Sequence, residues 1–182
     1  MGMLTGLAPF IAFFLGMRLA SPVAGLGAAY MVSLLLCLRM WQRKESLKVL
    51  EVGSLTLFGG LLIYTLLAAP GWTVATVRLA VDSGLLAIVV ISLAIGKPFT
   101  LQYAKERVPQ EFWSSPRFLA VNRHITLAWA AALAVMVAAD AAAEYVPAIP
   151  LWVEVAGTIV AFAGAILFTV RYPAEVRRAA GV

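Results

Sequence analysis

The chain has 182 residues, of which 63% are hydrophobic and 13% charged, with a formal net charge of +5. A water-soluble domain carries about 25% charged residues to cover its surface, so this composition excludes one and describes a protein solvated by lipid. No folded soluble module stands behind the basic balance, which sets nucleic acid aside as a partner and points to anionic headgroups at a membrane surface.

Charged residues fall in the gaps between apolar stretches at about 4–20, 23–40, 52–69, 75–95, 125–143 and 151–170. A helix needs about 20 predominantly apolar residues to cross about 30 Å of hydrocarbon. The pattern predicts an all-α, polytopic bundle of six transmembrane helices, a single transmembrane domain over residues 1–182. The first stretch is short and ends in Arg18, so five spans result if it does not cross. Pro9 inside it removes a backbone donor and is expected to bend the helix. No basic residue precedes its apolar core, unlike a cleaved secretory signal.

The second stretch holds Gly25, Gly27 and Ala28, which permit close helix approach, and the lone Cys37, read as a small buried hydrophobe. A basic connection follows, with Arg39, Arg43, Lys44 and Lys48. Gly53, Gly59 and Gly60 again allow close packing in the third stretch, and the connection at Pro70 and Gly71 carries no charge. In the fourth, Arg78 and Asp82 lie four residues apart, on one face of a helix. Asp82 sits about 9 Å inside the boundary taken at Thr76, where an unpaired carboxylate is costly. A structural ion pair and a contact for an ion, proton or substrate facing a cavity are both compatible with that placement.

The connection over 97–124 is the longest polar segment. Gly96-Lys97-Pro98 ends the fourth helix, with Lys97 near its C-terminal dipole. Aromatic and apolar residues then alternate with charges, among them Tyr103 and Trp113, as in a cytoplasmic interfacial helix with rings in the bilayer surface. The glycines and Lys-Ser/Thr pair of a phosphate-binding loop are absent. At its end stand Asn122, Arg123 and His124, read as a helix cap and headgroup contact at the cytoplasmic mouth. His124 has no second histidine, nearby cysteine or suitably spaced glutamate, so no metal site is expected there. No catalytic residue set and no cofactor motif accompanies these residues. Trp41, Trp72, Trp113, Trp129 and Trp152 fall near proposed interfaces, where indoles anchor spans. In the sixth stretch Gly157, Ala161 and Ala165 again are small; packing within one bundle and a homodimer seam both account for such stripes.

Every second connection is basic: the one after span two, the one holding Lys97, Lys105, Arg107, Arg117 and Arg123, and the tail with Arg171, Arg177 and Arg178. Positive charge marks the cytoplasmic side, so both termini are placed inside.

Leu7-Ala8-Pro9-Phe10-Ile11-Ala12-Phe13-Phe14, Lys44-Glu45-Ser46-Leu47-Lys48, Ser54-Leu55, Phe58-Gly59-Gly60, Trp72, Gly96-Lys97-Pro98, and Asn122 with Trp129 occur in this order along the chain. In that order they resemble the bacterial inner-membrane proteins of the intracellular septation protein A type. The resemblance implies a multi-pass inner-membrane protein supporting septation or envelope maintenance, with division or envelope-synthesis proteins as partners. It implies no reaction and no catalytic residue. A small transporter using Arg78 and Asp82, and a lipid-modifying enzyme using the 97–124 segment, are the other classes compatible with the residues.

Overall fold

The computed structural model describes residues 3–68, 71–146 and 150–179; Pro70, expected at a span end, lies outside them. The described residues form α1 (Met3–Gly6), α2 (Ala8–Leu19), α3 (Pro22–Gln42), α4 (Val49–Ala68), α5 (Val74–Ala94), α6 (Phe99–Ala104), a 3₁₀ turn (Gln110–Phe112), α7 (Pro116–Tyr145) and α8 (Leu151–Arg178). The protein is an all-α, polytopic helical bundle. Five helices, α3, α4, α5, α7 and most of α8, are long and apolar enough to cross a membrane. The first expected span divides at Leu7 into α1 and α2. Its 12-residue α2 is about 18 Å long, short of the hydrocarbon thickness. Pro9 does not bend a longer helix. It stands in the first turn of α2, where its missing N–H costs nothing.

The chain clusters into two compact units, Met1–Ile88 and Val89–Val182. In the first, α2 and α3 form a tight hairpin. Ser21 caps α3, its hydroxyl accepting from the Ala24 N–H at 3.1 Å, and Pro22 supplies the preset φ of the first turn. The helices touch backbone to backbone where Gly16 meets Gly25: a Cβ on Gly25 would stand 2.8 Å from the Phe13 carbonyl oxygen and 2.9 Å from the Met17 nitrogen. Gly27, two residues on, faces open space. Gly25→Ala should therefore destabilise by about 1–3 kcal/mol, since backbone cannot yield to the added methyl. Gly27→Ala should gain up to about 1 kcal/mol of helix propensity. Thermal unfolding of the two purified variants in detergent checks this, and equal midpoints would remove the close crossing.

Phe58 of α4 is fully buried at the centre of this unit, its ring 5.2 Å from Phe10 and 5.8 Å from Phe13. Met17, Leu26, Ala29, Val77 and Val81 complete the cluster. Helix α3 ends in a Schellman turn: the Lys44 N–H donates to the Trp41 carbonyl and the Glu45 N–H to that of Met40, both at 3.0 Å. Lys44 holds φ +54° there, a place usually given to glycine.

In the second unit the end of α5 closes by the same motif with glycine in that place. Gly96 has φ +70°, its N–H bonded to Leu93 O and that of Lys97 to Ser92 O. Ser92 then binds the corner from inside: its hydroxyl donates to Val89 O at 2.7 Å and accepts from the Phe99 N–H at 3.2 Å. Helix α7 begins at Pro116, capped by Ser115, whose hydroxyl accepts from the Phe118 N–H at 3.2 Å. Its 30 residues reach about 45 Å, longer than a hydrocarbon crossing. The segment expected as a connection over 97–124 thus ends at 115, because Ser-Pro starts the helix two turns before the apolar run does.

Candidate functional site

Chemistry-bearing side chains gather where α6 and the basic ends of α7 and α8 meet. Helix α6 is docked on α7, with Phe99, Thr100, Leu101 and Tyr103 all buried. The Asn122 carbonyl accepts from the hydroxyls of Thr100 and Thr126, each at 2.9 Å, and those hydroxyls lie 2.7 Å apart. All three residues are buried, and the two hydroxyls converging on one carbonyl clamp α6 to α7. Next to them Trp129 joins three helices. Its ring meets Phe99 of α6 edge-on at 6.5 Å and Phe162 of α8 at 5.4 Å, and its indole N–H donates to the Thr169 hydroxyl at 2.9 Å.

Beyond α6 the chain runs mostly exposed through residues 105–115, held by short turns of its own. The Trp113 indole N–H donates to Val108 O at 2.9 Å, and Lys105 Nζ sits 5.1 Å from the centre of its ring. Phe112 is half exposed, and Arg107 and Glu111 of the same segment are exposed.

Several expectations change here. Asn122 is not a cap: it lies inside α7, its side-chain amide donating to Phe118 O at 2.8 Å. Its own carbonyl, not its side chain, is the hub. His124 is in the third turn and exposed, with Nδ1 2.8 Å from Ala120 O and 3.4 Å from the Tyr172 hydroxyl. Arg123 and Lys97 are exposed. Tyr103 and Trp129, expected as anchors in the membrane surface, are instead 4% and 3% exposed and pack inside the protein. Trp113 is half-buried beneath Lys105.

Arg78 and Asp82 share one face of the continuous helix α5, and both are half-buried. If they act as a pair, Asp82→Ala should destabilise more than the double change with Arg78→Ala, since it strands a partly buried cation. Thermal midpoints of the single and double variants check the coupling; additive losses would show that the two are not paired.

Sequence reasoning missed three buried ionisable groups. Lys48 was read as part of an exposed basic connection and is 4% exposed; Glu51 in the first turn of α4 is 3% exposed; Asp140 inside α7 is 1% exposed. Leu47-Lys48-Val49-Leu50, a charge enclosed by apolar neighbours, was the available signal for the first. Among the described residues no group of three His, Cys, Asp or Glu side chains is placed to hold a metal ion. Comparison with family models, with curated proteins and with solved structures gives no match to this chain.

Proposed function

We propose that this polytopic membrane protein is a non-enzymatic component of a bacterial inner membrane, supporting septation or envelope maintenance by presenting a fixed cytoplasmic surface to protein and lipid partners. The single observation that carries this reading is the clamp of Thr100, Thr126 and the Asn122 carbonyl. It fixes α6 to a membrane-crossing helix, so residues 105–115 leave from a rigid base and behave as a contact surface instead of a tether. The ordered resemblance along the chain supplies the class of partner, and the Lys and Arg of the same end suit anionic lipid. Co-purification from mildly solubilised membranes should recover envelope-synthesis or division proteins. Recovery of the protein alone, with no envelope defect on deletion, overturns the reading.

A small transporter is the second reading, favoured by ionisable groups within spans: Arg78 and Asp82 in α5 and, separately, buried Asp140 in α7. Such groups are expensive in hydrocarbon and commonly mark ion or substrate routes. Flux into reconstituted vesicles that falls in Asp82→Asn or Asp140→Asn protein would favour it over the first; unchanged flux in both removes it.

A further inference from the structure

The geometry points to a phospholipid headgroup site at the basic end of α7 and α8. We propose that His124, Tyr172 and Phe168, flanked by Arg123 and Arg171, bind a headgroup carrying a hydrogen-bond donor beside its phosphate, ethanolamine or glycerol, in preference to choline.

The inference starts from one short contact. His124 Nδ1 lies 2.8 Å from the Ala120 carbonyl oxygen. A bare ring nitrogen would repel that oxygen, so the contact selects the tautomer with its proton on Nδ1. Nε2 is then an acceptor, on a side chain that is exposed. The same assignment decides the role of Tyr172. Its hydroxyl is 3.4 Å from Nδ1, which already carries a proton, so the phenol O–H is left to donate elsewhere.

These groups are held in place. The His124 and Tyr172 rings meet edge-on at 5.7 Å, and Tyr172 stacks on Phe168 at 4.7 Å with 13° between planes. The Trp129 to Thr169 hydrogen bond pins the two helices one turn deeper. Arg123 and Arg171, the sequence neighbours of His124 and Tyr172, are exposed. Arg171 follows the apolar run of α8, which places the ledge where hydrocarbon gives way to headgroups.

A phosphate accepts from the Tyr172 hydroxyl and from the two guanidinium groups. The ethanolamine ammonium or a glycerol hydroxyl donates to His124 Nε2, and the aromatic faces favour an ammonium further. Choline keeps the charge but has no N–H, so it meets the ring face and leaves Nε2 unbonded. This inference stands on the membrane-spanning fold and not on a role in septation.

The test is lipid binding to the whole purified protein by native mass spectrometry, with phosphatidylethanolamine, its N-methyl and N,N-dimethyl derivatives, phosphatidylcholine and phosphatidylglycerol of identical acyl chains. Affinity should hold through the dimethyl lipid, which retains one N–H, and fall about three- to tenfold at choline, the worth of one hydrogen bond. Phosphatidylglycerol, whose hydroxyls also donate beside the phosphate, should bind more tightly than phosphatidylcholine. His124→Phe, which keeps the ring contact, should abolish the difference between the two ends of the series. Tyr172→Phe should weaken all of the lipids together. A smooth decline with each methyl, equal affinity for the ethanolamine and choline lipids, or a preference that survives in His124→Phe overturns the proposal. The unmodified protein alone decides the first two, whatever the variants do to folding.

Discussion

Trp129→Ala should lower the stability of the second unit by about 2–4 kcal/mol. The usual cost of emptying a soluble core of a large aromatic is about 3–5 kcal/mol. Part of that cost is transfer out of water, which lipid does not supply, whereas the packing part remains. Here the packing is shared by three helices, since the indole touches Phe99 of α6 and Phe162 of α8. Trp129→Phe keeps most of the ring contacts and removes the N–H that the Thr169 hydroxyl accepts, so it should cost only about 0.5–1.5 kcal/mol. Thermal unfolding in detergent, followed by retention of the monodisperse protein, reads both variants. Limited proteolysis adds a local readout: the alanine variant should be cut sooner within 105–115, because α6 loses an anchor. An alanine variant as stable as the unmodified protein would mean that Trp129 does not hold these helices together.

Phe58→Ala should be the matching lesion in the first unit, again about 2–4 kcal/mol. Its fully buried ring is the piece of α4 that reaches both Phe10 and Phe13 of α2. Phe58→Leu refills most of the volume and should cost less than half as much. The alanine variant should also expose Met17, 8% accessible in the core cluster, to oxidation by dilute peroxide. If Met17 oxidises at the same rate in both proteins, Phe58 is not what closes that cluster.

The spans were legible because lipid imposes a pattern that sequence cannot disguise. The stretches at 23–40, 52–69 and 75–95 correspond to α3, α4 and α5 with ends shifted by a few residues. Gly96 was readable as a helix end because a positive φ favours glycine, whereas the same turn at Lys44 carries a residue that gives no such signal. The start of α7 was misplaced for a specific reason: the apolar run begins at Ile125, but the helix obeys the Ser115-Pro116 cap and not hydropathy. The candidate site was half visible. Asn122 and His124 stood out as polar residues at a span entrance, yet their roles depend on Thr100 and Tyr172, 22 and 48 residues away in sequence. Buried Glu51 and Asp140 were invisible for the same reason, since a charge near a span end reads as exposed until its neighbours from other helices are placed.

The central claim is that residues 105–115 form a fixed contact surface for envelope or division proteins, and photo-crosslinking from one position tests it most directly. A photoreactive amino acid replacing Phe112, half exposed on that surface, is introduced into the full-length protein in growing bacterial cells and irradiated there. A second position at Leu35, exposed in the middle of α3, serves as the lipid-facing reference. The expected result is a discrete adduct from Phe112, identified by mass spectrometry as a septation or envelope-synthesis protein and absent from Leu35. That adduct should weaken when Thr100 and Thr126 are both replaced by Val, because the clamp that fixes the surface is gone. Adducts with lipid alone from both positions would contradict the claim, as would a protein adduct whose yield ignores the loss of the two hydroxyls.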